Sequence, residues 1–242
     1  MDVKRRTPDE LSTLKAQGNA FGLNLITRPT NLELYRRYLP GSLDMPETPM
    51  VGVFQYHFPI TNAHPLIPNG HYAEAGILLY CQRDGIAAWA EAAIFISWFG
   101  YIFGSLGGSR KVRIDQITLS SERSAFRGCT EKGGANIMDF CYTSNSVEHI
   151  RKEINPTPWQ LSMLNGQRYS PHIIEPRIII SKVIKRTKIL ELRPIMQDVK
   201  TQPGIIDLKL ASGHHWSNLI NQKTRAPGIF FDFKPDWSQL KL

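Results

Sequence analysis

Cysteine is scarce in this chain, and the patterns that cysteine chemistry needs are missing. The 242 residues include three cysteines, Cys81, Cys129 and Cys141, which cannot all pair within one chain and show no CxxC spacing. The sequence therefore contains neither a zinc-ribbon nor a thioredoxin-type redox motif. The charged opening, MDVKRRTPDE, lacks the apolar core of a secretory signal. Together these absences predict a protein of the reducing cytoplasm.

Motifs for nucleic-acid recognition are also missing, although the formal net charge of +8 favours anionic partners. The basic residues occur in short groups, and none is interleaved with a zinc-finger, RNA-recognition or helix-turn-helix pattern. With 42% hydrophobic and 21% charged residues, the composition is that of a globular rather than a disordered protein. We expect the basic groups to be solvated surface charge, and we expect no nucleic-acid partner.

One apolar run, residues 86–103, approaches the length of a membrane span and contains a single charge, Glu91. Three features favour buried β structure instead. The carboxylate lies near the middle, the half from Ile94 to Phe103 is rich in β-branched and aromatic residues, and turn residues bound the run at both ends. We therefore expect two buried strands or one bent strand here, and no membrane partner.

Short strands separated by turn residues dominate the pattern, which predicts a mainly β (α+β) protein built as a sandwich or barrel. Helices are expected at 30–39, with Thr30 or Asn31 as the N-cap, and at 145–152 and 213–221. Residues 1–20 are expected to form an N-terminal helix or tail, and residues 1–242 a single domain. The predicted strands are 21–27, 50–58, 72–81, 86–95, 97–103, 111–119, 124–129, 136–143, 177–184 and 188–196.

Two motifs suggest chemistry. Residues 72–76, YAEAG, place the carboxylate of Glu74 among small and apolar residues, and residues 104–111, GSLGGSRK, form a Gly-rich turn that ends in Arg110 and Lys111. An amine beside a second positive charge is a known route to a nucleophilic lysine. The alternative interpretations, without a chemical role, are that Lys111 is a surface cation alternating with Arg113 and that Glu74 lies on a solvated strand face.

The order of these features resembles the acetoacetate decarboxylase family over about nine-tenths of the chain. The shared features are a short helix ending at Pro40, a strand over 50–58, a Tyr-x-Glu-x-Gly segment, a Gly-containing turn leading to cations, and a polar helix followed by an aromatic tail at 228–233. The resemblance implies an antiparallel β-barrel or cone with a few flanking short helices. It also implies an enzyme that needs neither a cofactor nor a metal.

In that family a lysine forms a Schiff base with a β-keto acid, and the iminium accepts the electrons released as carbon dioxide departs. Acetoacetate decarboxylase is itself a known case of a lysine activated by desolvation or by a neighbouring cation. By resemblance, Lys111 is the candidate nucleophile, Arg110 is the cation that lowers its pKa, and Glu74 orients water or moves protons.

The sequence departs from the family pattern where the substrate would bind. Ser105 and Leu106 replace an arginine and a glutamate. The family's N-terminal arginine aligns near Phe21, and its strand carboxylate aligns near Phe54, beside Gln55. We therefore predict a larger, less polar substrate, with Phe21, Phe54, Gln55 and Trp98 as the candidate binding residues.

The function predicted from these residues is an enzyme of specialised, polyketide- or terpenoid-type metabolism. It would act on a hydrophobic carbonyl compound by decarboxylation, aldol or dehydration chemistry, or cyclisation. The alternative is a binding protein that kept the fold and lost the chemistry. We also expect a homo-oligomer.

Two further groups of polar residues have competing interpretations. Glu91 is either a partner of Glu74 or, by preference, an outward residue on an edge strand. His57, His64 and His71 are spaced by seven residues, which fits no compact metal-ligand motif, so we expect no metal site.

Overall fold

The computed structural model describes residues 11, 14, 18–39, 41, 43–60, 70–97, 111–122, 125–144, 167–170, 190–192 and 196–235. The elements along these residues are β1 (Ala20–Thr27), α1 (Leu32–Tyr38), β2 (Val51–Ile60), β3 (Gly70–Arg83), β4 (Ile86–Ser97), β5 (Lys111–Ile114), β6 (Gln116–Glu122), β7 (Ala125–Lys132), β8 (Ala135–Ser144), β9 (Gln167–Ser170), β10 (Leu190–Leu192), β11 (Met196–Leu210), a 3-10 helix (His215–Asn218) and β12 (Lys223–Pro235).

The strands form one sheet of twelve, with the order β10-β9-β4-β3-β2-β1-β12-β11-β8-β7-β6 and β5 paired with β4 beside this path. Neighbours pair antiparallel except at β4, which pairs in parallel with β9 through residues 88–90 and with β5 through residues 94–97. Strand β4 therefore has β3 on one side and two short strands on the other.

Alternating side chains divide the sheet into two buried faces. We call the first the interior face: its cluster runs through strands β1–β4, β6–β8, β11 and β12 and includes Phe21, Val53, Ala75, Phe126 and Phe230. We call the second the aromatic face. Its buried residues are Ala20, Phe54, Tyr56, Leu78, Tyr80, Trp89, Ile94, Ile96, Ile229, Phe231 and Phe233.

The sheet curls around the interior face. Gln55 on β2 donates a hydrogen bond from Nε2 to the carbonyl of Thr118 on β6 at 2.5 Å, although five strands separate β2 from β6 in the sheet order. Phe126 on β7 stacks on Phe230 on β12, with ring centroids 4.4 Å apart. Such contacts across the sheet require a half-barrel, because the outer strands of a flat sheet would lie far apart.

Helix α1 packs on the interior cluster. Its N-cap is Asn31, whose Oδ1 accepts a hydrogen bond from the backbone N–H of Leu34 at 2.8 Å. Tyr35 is buried on the inward side, and its hydroxyl donates to the carbonyls of Tyr80 and Met50. The 3-10 helix packs on the same cluster through Trp216. These contacts attach both helices to the curled sheet.

The sequence prediction of an antiparallel β fold with short helices is confirmed. The predicted strands at 21–27, 50–58, 72–81, 86–95, 124–129 and 136–143 match described strands within a few residues, and the helix at 30–39 is α1. The apolar run from residue 86 forms strand β4, as expected, and no helix among the described residues is long and apolar enough to cross a membrane.

Three local predictions differ from the structure. The expected strand 111–119 is interrupted at Asp115, so that β5 pairs with β4 while β6 pairs with β7. Strand β11 was not predicted, and the helix expected at 213–221 is a four-residue 3-10 helix. The predictions for 97–103, 145–152 and 177–184 lie wholly or mostly outside the described residues, as does most of the segment 1–20.

Candidate active site

Glu74 lies on the aromatic-face side of β3. Its neighbours Ala73 and Ala75 belong to the interior cluster, so strand alternation places Glu74 on the other face. Its cross-strand partners are Tyr56 on β2 and Ile96 on β4, both members of the aromatic face. Glu74 is half-buried. Glu74 therefore does not lie on a fully solvated strand face.

Lys111 is the first residue of β5, where the backbone pairs it with Ile94 of β4. Ile94 is an aromatic-face residue, and its partner on β3 is Gly76, two residues from Glu74. With strand β4 between them, the Cα atoms of Lys111 and Glu74 are about 12 Å apart. The backbone thus brings both candidate residues to neighbouring positions of one half of the sheet. Arg110 and Trp98 lie outside the described residues.

A glycine is required between these two positions. A Cβ atom added to Gly76 would lie 2.8 Å from Ile94 Cδ1, 2.8 Å from Phe54 Cε1 and 2.8 Å from the carbonyl oxygen of Ala93. The side chains of β2 and β4 therefore close over Gly76. This is a physical reason for the glycine of the YAEAG motif.

Three of the four predicted binding residues are described, and these three do not share one face. Phe54 is on the aromatic face, with its ring 4.2 Å from that of Tyr56. Gln55 follows it directly and lies on the interior side, as does Phe21. A cavity on one face of the sheet is lined either by Phe54 or by Gln55 and Phe21. Phe54 and Gln55 cannot both face one cavity on the same side of the sheet, because adjacent strand residues point in opposite directions.

Gln55 and Phe21 make contacts on the interior face that have a structural role. Besides its bond to Thr118, the amide of Gln55 packs against Gly128 so closely that a Cβ there would lie 2.4 Å from Gln55 Oε1. The ring of Phe21 stacks on His57 with centroids 5.4 Å apart. His57 itself is a buried residue of β2. The contacts of Gln55 hold opposite sides of the half-barrel together, whereas the Phe21–His57 stack joins the neighbouring strands β1 and β2.

Glu91 occupies a position that the sequence interpretation did not favour. Strand β4 is not an edge strand, because β9 pairs with its residues 88–90 and β5 with its residues 94–97, and Glu91 between them is only 3% exposed. The preferred prediction of an outward residue on an edge strand is therefore wrong. Its cross-strand partner, Leu78, belongs to the aromatic face. Glu91 and Glu74 are thus two carboxylates on the same side of the sheet.

Asn24 is a second buried polar residue of the aromatic face that the sequence interpretation missed. It is 0% exposed and pairs with Phe54 and Ile229 on its two neighbouring strands. Among the described residues, neither Oδ1 nor Nδ2 has a hydrogen-bond partner. An alternation count from the buried Leu23 and Leu25 would have placed Asn24 on the opposite face, but nothing in the sequence showed that this face is buried.

The thiols of Cys81 and Cys129 are poor nucleophiles at neutral pH. Burial raises the pKa of Cys81 to about 12. Burial, followed by the negative charge of Glu131, raises the pKa of Cys129 to about 11. Both groups remain protonated near pH 7. Among the described residues, no group of three or more His, Cys, Asp or Glu side chains could hold a metal ion.

No protein-family model and no curated protein matches this sequence. Solved structures do match its fold. The enduracididine biosynthesis enzyme MppR, complexed with the condensation product of pyruvate and imidazole 4-carboxaldehyde, has a TM-score of 0.64 and 13% identity, covering 89% of this chain and 84% of that one. An acetoacetate decarboxylase from Legionella pneumophila subsp. pneumophila str. Philadelphia 1 has a TM-score of 0.60 and 15% identity, covering 89% and 80%.

A third match is an acetoacetate decarboxylase-like enzyme from Sphingomonas wittichii RW1, with a TM-score of 0.58 and 13% identity, covering 89% of this chain and 88% of that one. The chain is therefore a half-barrel protein whose structural neighbours are enzymes. Its fold is similar to that of acetoacetate decarboxylase and the enzymes like it, as the resemblance in the sequence implied. At these identities the likeness concerns the fold alone.

Proposed function

We propose that this protein is an acetoacetate decarboxylase-like enzyme that acts on a hydrophobic, carbonyl-containing small molecule through Lys111. The observation that carries the proposal is the placement of Lys111 on β5 and Glu74 on β3, with β4 between them, in a fold whose structural neighbours are enzymes. The two residues are far apart in sequence. Their proximity is what a nucleophilic amine and a proton-transferring carboxylate require.

The surroundings of these two positions support an apolar substrate. The face that carries Glu74 is lined by aromatic and aliphatic side chains, among them Phe54, Tyr56 and Phe231. Tyr56 meets Phe231 edge-on, with centroids 5.0 Å apart. Ligand sites are typically apolar with a few polar groups that fix orientation. Phe54 is the predicted binding residue that fits this face.

The proposed reaction begins with attack of the Lys111 amine on the substrate carbonyl, followed by loss of the carbonyl oxygen as water. The resulting iminium accepts an electron pair from an adjacent bond. Breaking a carbon–carboxylate bond gives decarboxylation, and breaking a C–H bond gives the enamine needed for aldol, dehydration or cyclisation steps. We place this chemistry in specialised metabolism, because the altered substrate-binding positions disfavour acetoacetate itself.

Borohydride trapping tests this proposal. Benzylacetone, an apolar methyl ketone, would be incubated with the protein and sodium borohydride, and the modified residue mapped by mass spectrometry. We expect one reduced adduct, on Lys111, that is absent from Lys111→Ala. The matched control is Lys132→Ala, since Lys132 is an exposed lysine of the β7–β8 turn. This variant should retain the adduct.

The competing function, a non-catalytic binding protein, is favoured by the loss of the family's turn residues at Ser105 and Leu106. It predicts saturable binding of benzylacetone with no adduct on any lysine. Turnover that survives Lys111→Ala and is lost in Glu74→Gln would instead indicate acid–base or cyclase chemistry without a Schiff base.

A further inference from the structure

Glu91 is placed on the aromatic face by an irregularity of strand β4. The pairing with β3 runs from Ile77 opposite Ala93 directly to Leu78 opposite Glu91, so Ala92 is an extra residue. Ala92 and Ala93 both belong to the interior cluster. Without this β-bulge, strict alternation from Phe95 would direct Glu91 to the interior. Bulges often re-aim one side chain in this way, and they are common beside active sites.

One oxygen of the Glu91 carboxylate lacks the partner expected of a structural carboxylate. Its side chain is almost fully buried, and among the described residues Oε2 has no hydrogen-bond partner. Buried polar groups are nearly always satisfied, and an unpaired one lowers the stability of the fold. A buried carboxylate with a free oxygen therefore suggests a group kept for chemistry or ligand contact.

The backbone also places Glu91 near Lys111. Ile94 is the cross-strand neighbour of Lys111, and Glu91 is the preceding aromatic-face position on the same strand. From strand spacing, the Cα atoms of Lys111 and Glu91 are about 10 Å apart, no farther than those of Lys111 and Glu74. By backbone position, Glu91 is therefore as good a candidate as Glu74 for proton transfer to a substrate bound at Lys111.

We propose that Glu91 is the acid–base residue of the reaction proposed for Lys111, and this inference rests on that proposed function. On the iminium, the Glu91 carboxylate takes a proton from the carbon next to the C=N bond. The C–H electron pair becomes the enamine C=C bond, and the iminium nitrogen takes up the electrons of the C=N bond. In the reverse step the Glu91 carboxyl returns a proton to that carbon. After a decarboxylation, the same carboxyl protonates the enamine.

The test separates adduct formation from proton transfer by using a ketone that cannot decarboxylate. Benzylacetone would be incubated with the protein in deuterium oxide, and exchange of its α-hydrogens followed by NMR. Borohydride trapping on Lys111 would be measured in parallel. In Glu91→Gln we expect the adduct to persist and the exchange rate to fall by about 100-fold or more. Glu131→Gln is the matched control, since Glu131 is a half-buried carboxylate of β7 that neither proposal uses, and it should retain the exchange.

A second variant covers the case in which Glu91→Gln misfolds. Glu91→Ala should lose exchange equally and recover it in part when formate is added, because formate can occupy the space of the missing carboxyl. Exchange in Glu91→Gln at the wild-type rate would overturn the assignment, as would a selective loss in Glu74→Gln. If wild type forms no adduct with benzylacetone, the proposed Lys111 chemistry fails and the Glu91 assignment falls with it. An adduct with unchanged exchange in Glu91→Gln refutes the Glu91 assignment alone.

Discussion

The two faces of the curled sheet are both buried and largely apolar, but they differ in the hydrogen bonding of their polar side chains. On the interior face, Gln55 donates across the half-barrel to Thr118. On the aromatic face, Asn24 and Glu91 have buried atoms without hydrogen-bond partners among the described residues. The hydrogen bond of Gln55 stabilises the fold, whereas the unpartnered atoms of Asn24 and Glu91 lower its stability. The hydrogen bond of Gln55 across the half-barrel makes the interior face the scaffold, and the positions of Glu74 and Glu91 make the aromatic face the candidate site.

The contrast is one of degree, because the interior face also holds buried atoms without hydrogen-bond partners among the described residues, among them Gln55 Oε1 and Thr130 Oγ1. Thr130 on β7 is fully buried, and its Oγ1 has no hydrogen-bond partner among the described residues. A single hydroxyl leaves fewer bonds unmade than the two atoms of an amide or the oxygens of a carboxylate. Thr130 therefore serves as a reference for the aromatic-face residues.

The largest expected effect comes from adding one methyl group at Gly22. A Cβ there points to the aromatic face and would lie 2.2 Å from the carbonyl oxygen of Gln55 and 2.8 Å from Tyr56 Cδ1. Since the first contact is with backbone, the strands β1 and β2 would have to move apart. We expect Gly22→Ala to lower the free energy of unfolding by about 3 kcal/mol, measured by urea denaturation.

Gly128→Ala is the counterpart on the interior face. Its Cβ would meet only the side-chain amide of Gln55, at 2.4 Å from Oε1, and that amide can rotate away. We expect a smaller loss than for Gly22→Ala. An equal or larger loss would contradict the view that the interior contact is confined to side chains.

A middle-sized effect is expected from Gln55→Leu. This change removes the hydrogen bond to the part-buried carbonyl of Thr118. We expect a loss of about 2 kcal/mol in the free energy of unfolding. The double variant with Gly128→Ala should cost less than the sum of the two single changes, because both disturb the same contact. Additive losses would show that Gln55 and Gly128 act independently.

The smallest expected effect is a gain in stability rather than a loss. Asn24→Leu keeps the branched shape of the side chain and removes two unpaired polar atoms from an apolar environment. We expect the free energy of unfolding to rise by about 1 kcal/mol. Thr130→Val is the matched change on the interior face and should give a similar or smaller gain. A loss of stability in Asn24→Leu would mean that its amide has a structural partner.

Much of the fold was accessible from the sequence because local signals agreed with tertiary packing. Asn31 was one of two predicted N-caps for α1 and accepts the capping hydrogen bond. Strands β2, β3 and β4 were predicted from β-branched and aromatic runs. Strand β11 was not, because Pro203, Gly204 and charged residues such as Lys209 resemble a loop in sequence. Its long pairings with β8 and β12 supply the stabilisation that its composition does not suggest.

The candidate site was predictable in part. Glu74 and Lys111 were selected as chemically reactive residue types in suggestive surroundings, and their roles stay predictions. Glu91 was noticed but assigned to an edge strand, since the pairing of β4 with β5 and β9 involves residues that are distant in sequence. Asn24 gave no signal, because nothing local distinguishes a buried amide from a solvated one.

The sequence by itself determined which residue types were available and which segments would be strands, since composition, turn residues and alternation are local properties. Only the tertiary structure decided which face each side chain occupies and what lies opposite it. One extra residue in β4 moves Glu91 from the interior to the aromatic face, and the curl of the sheet brings Gln55 to Thr118. Both outcomes depend on strand register and on contacts between distant segments, which local sequence preferences do not fix.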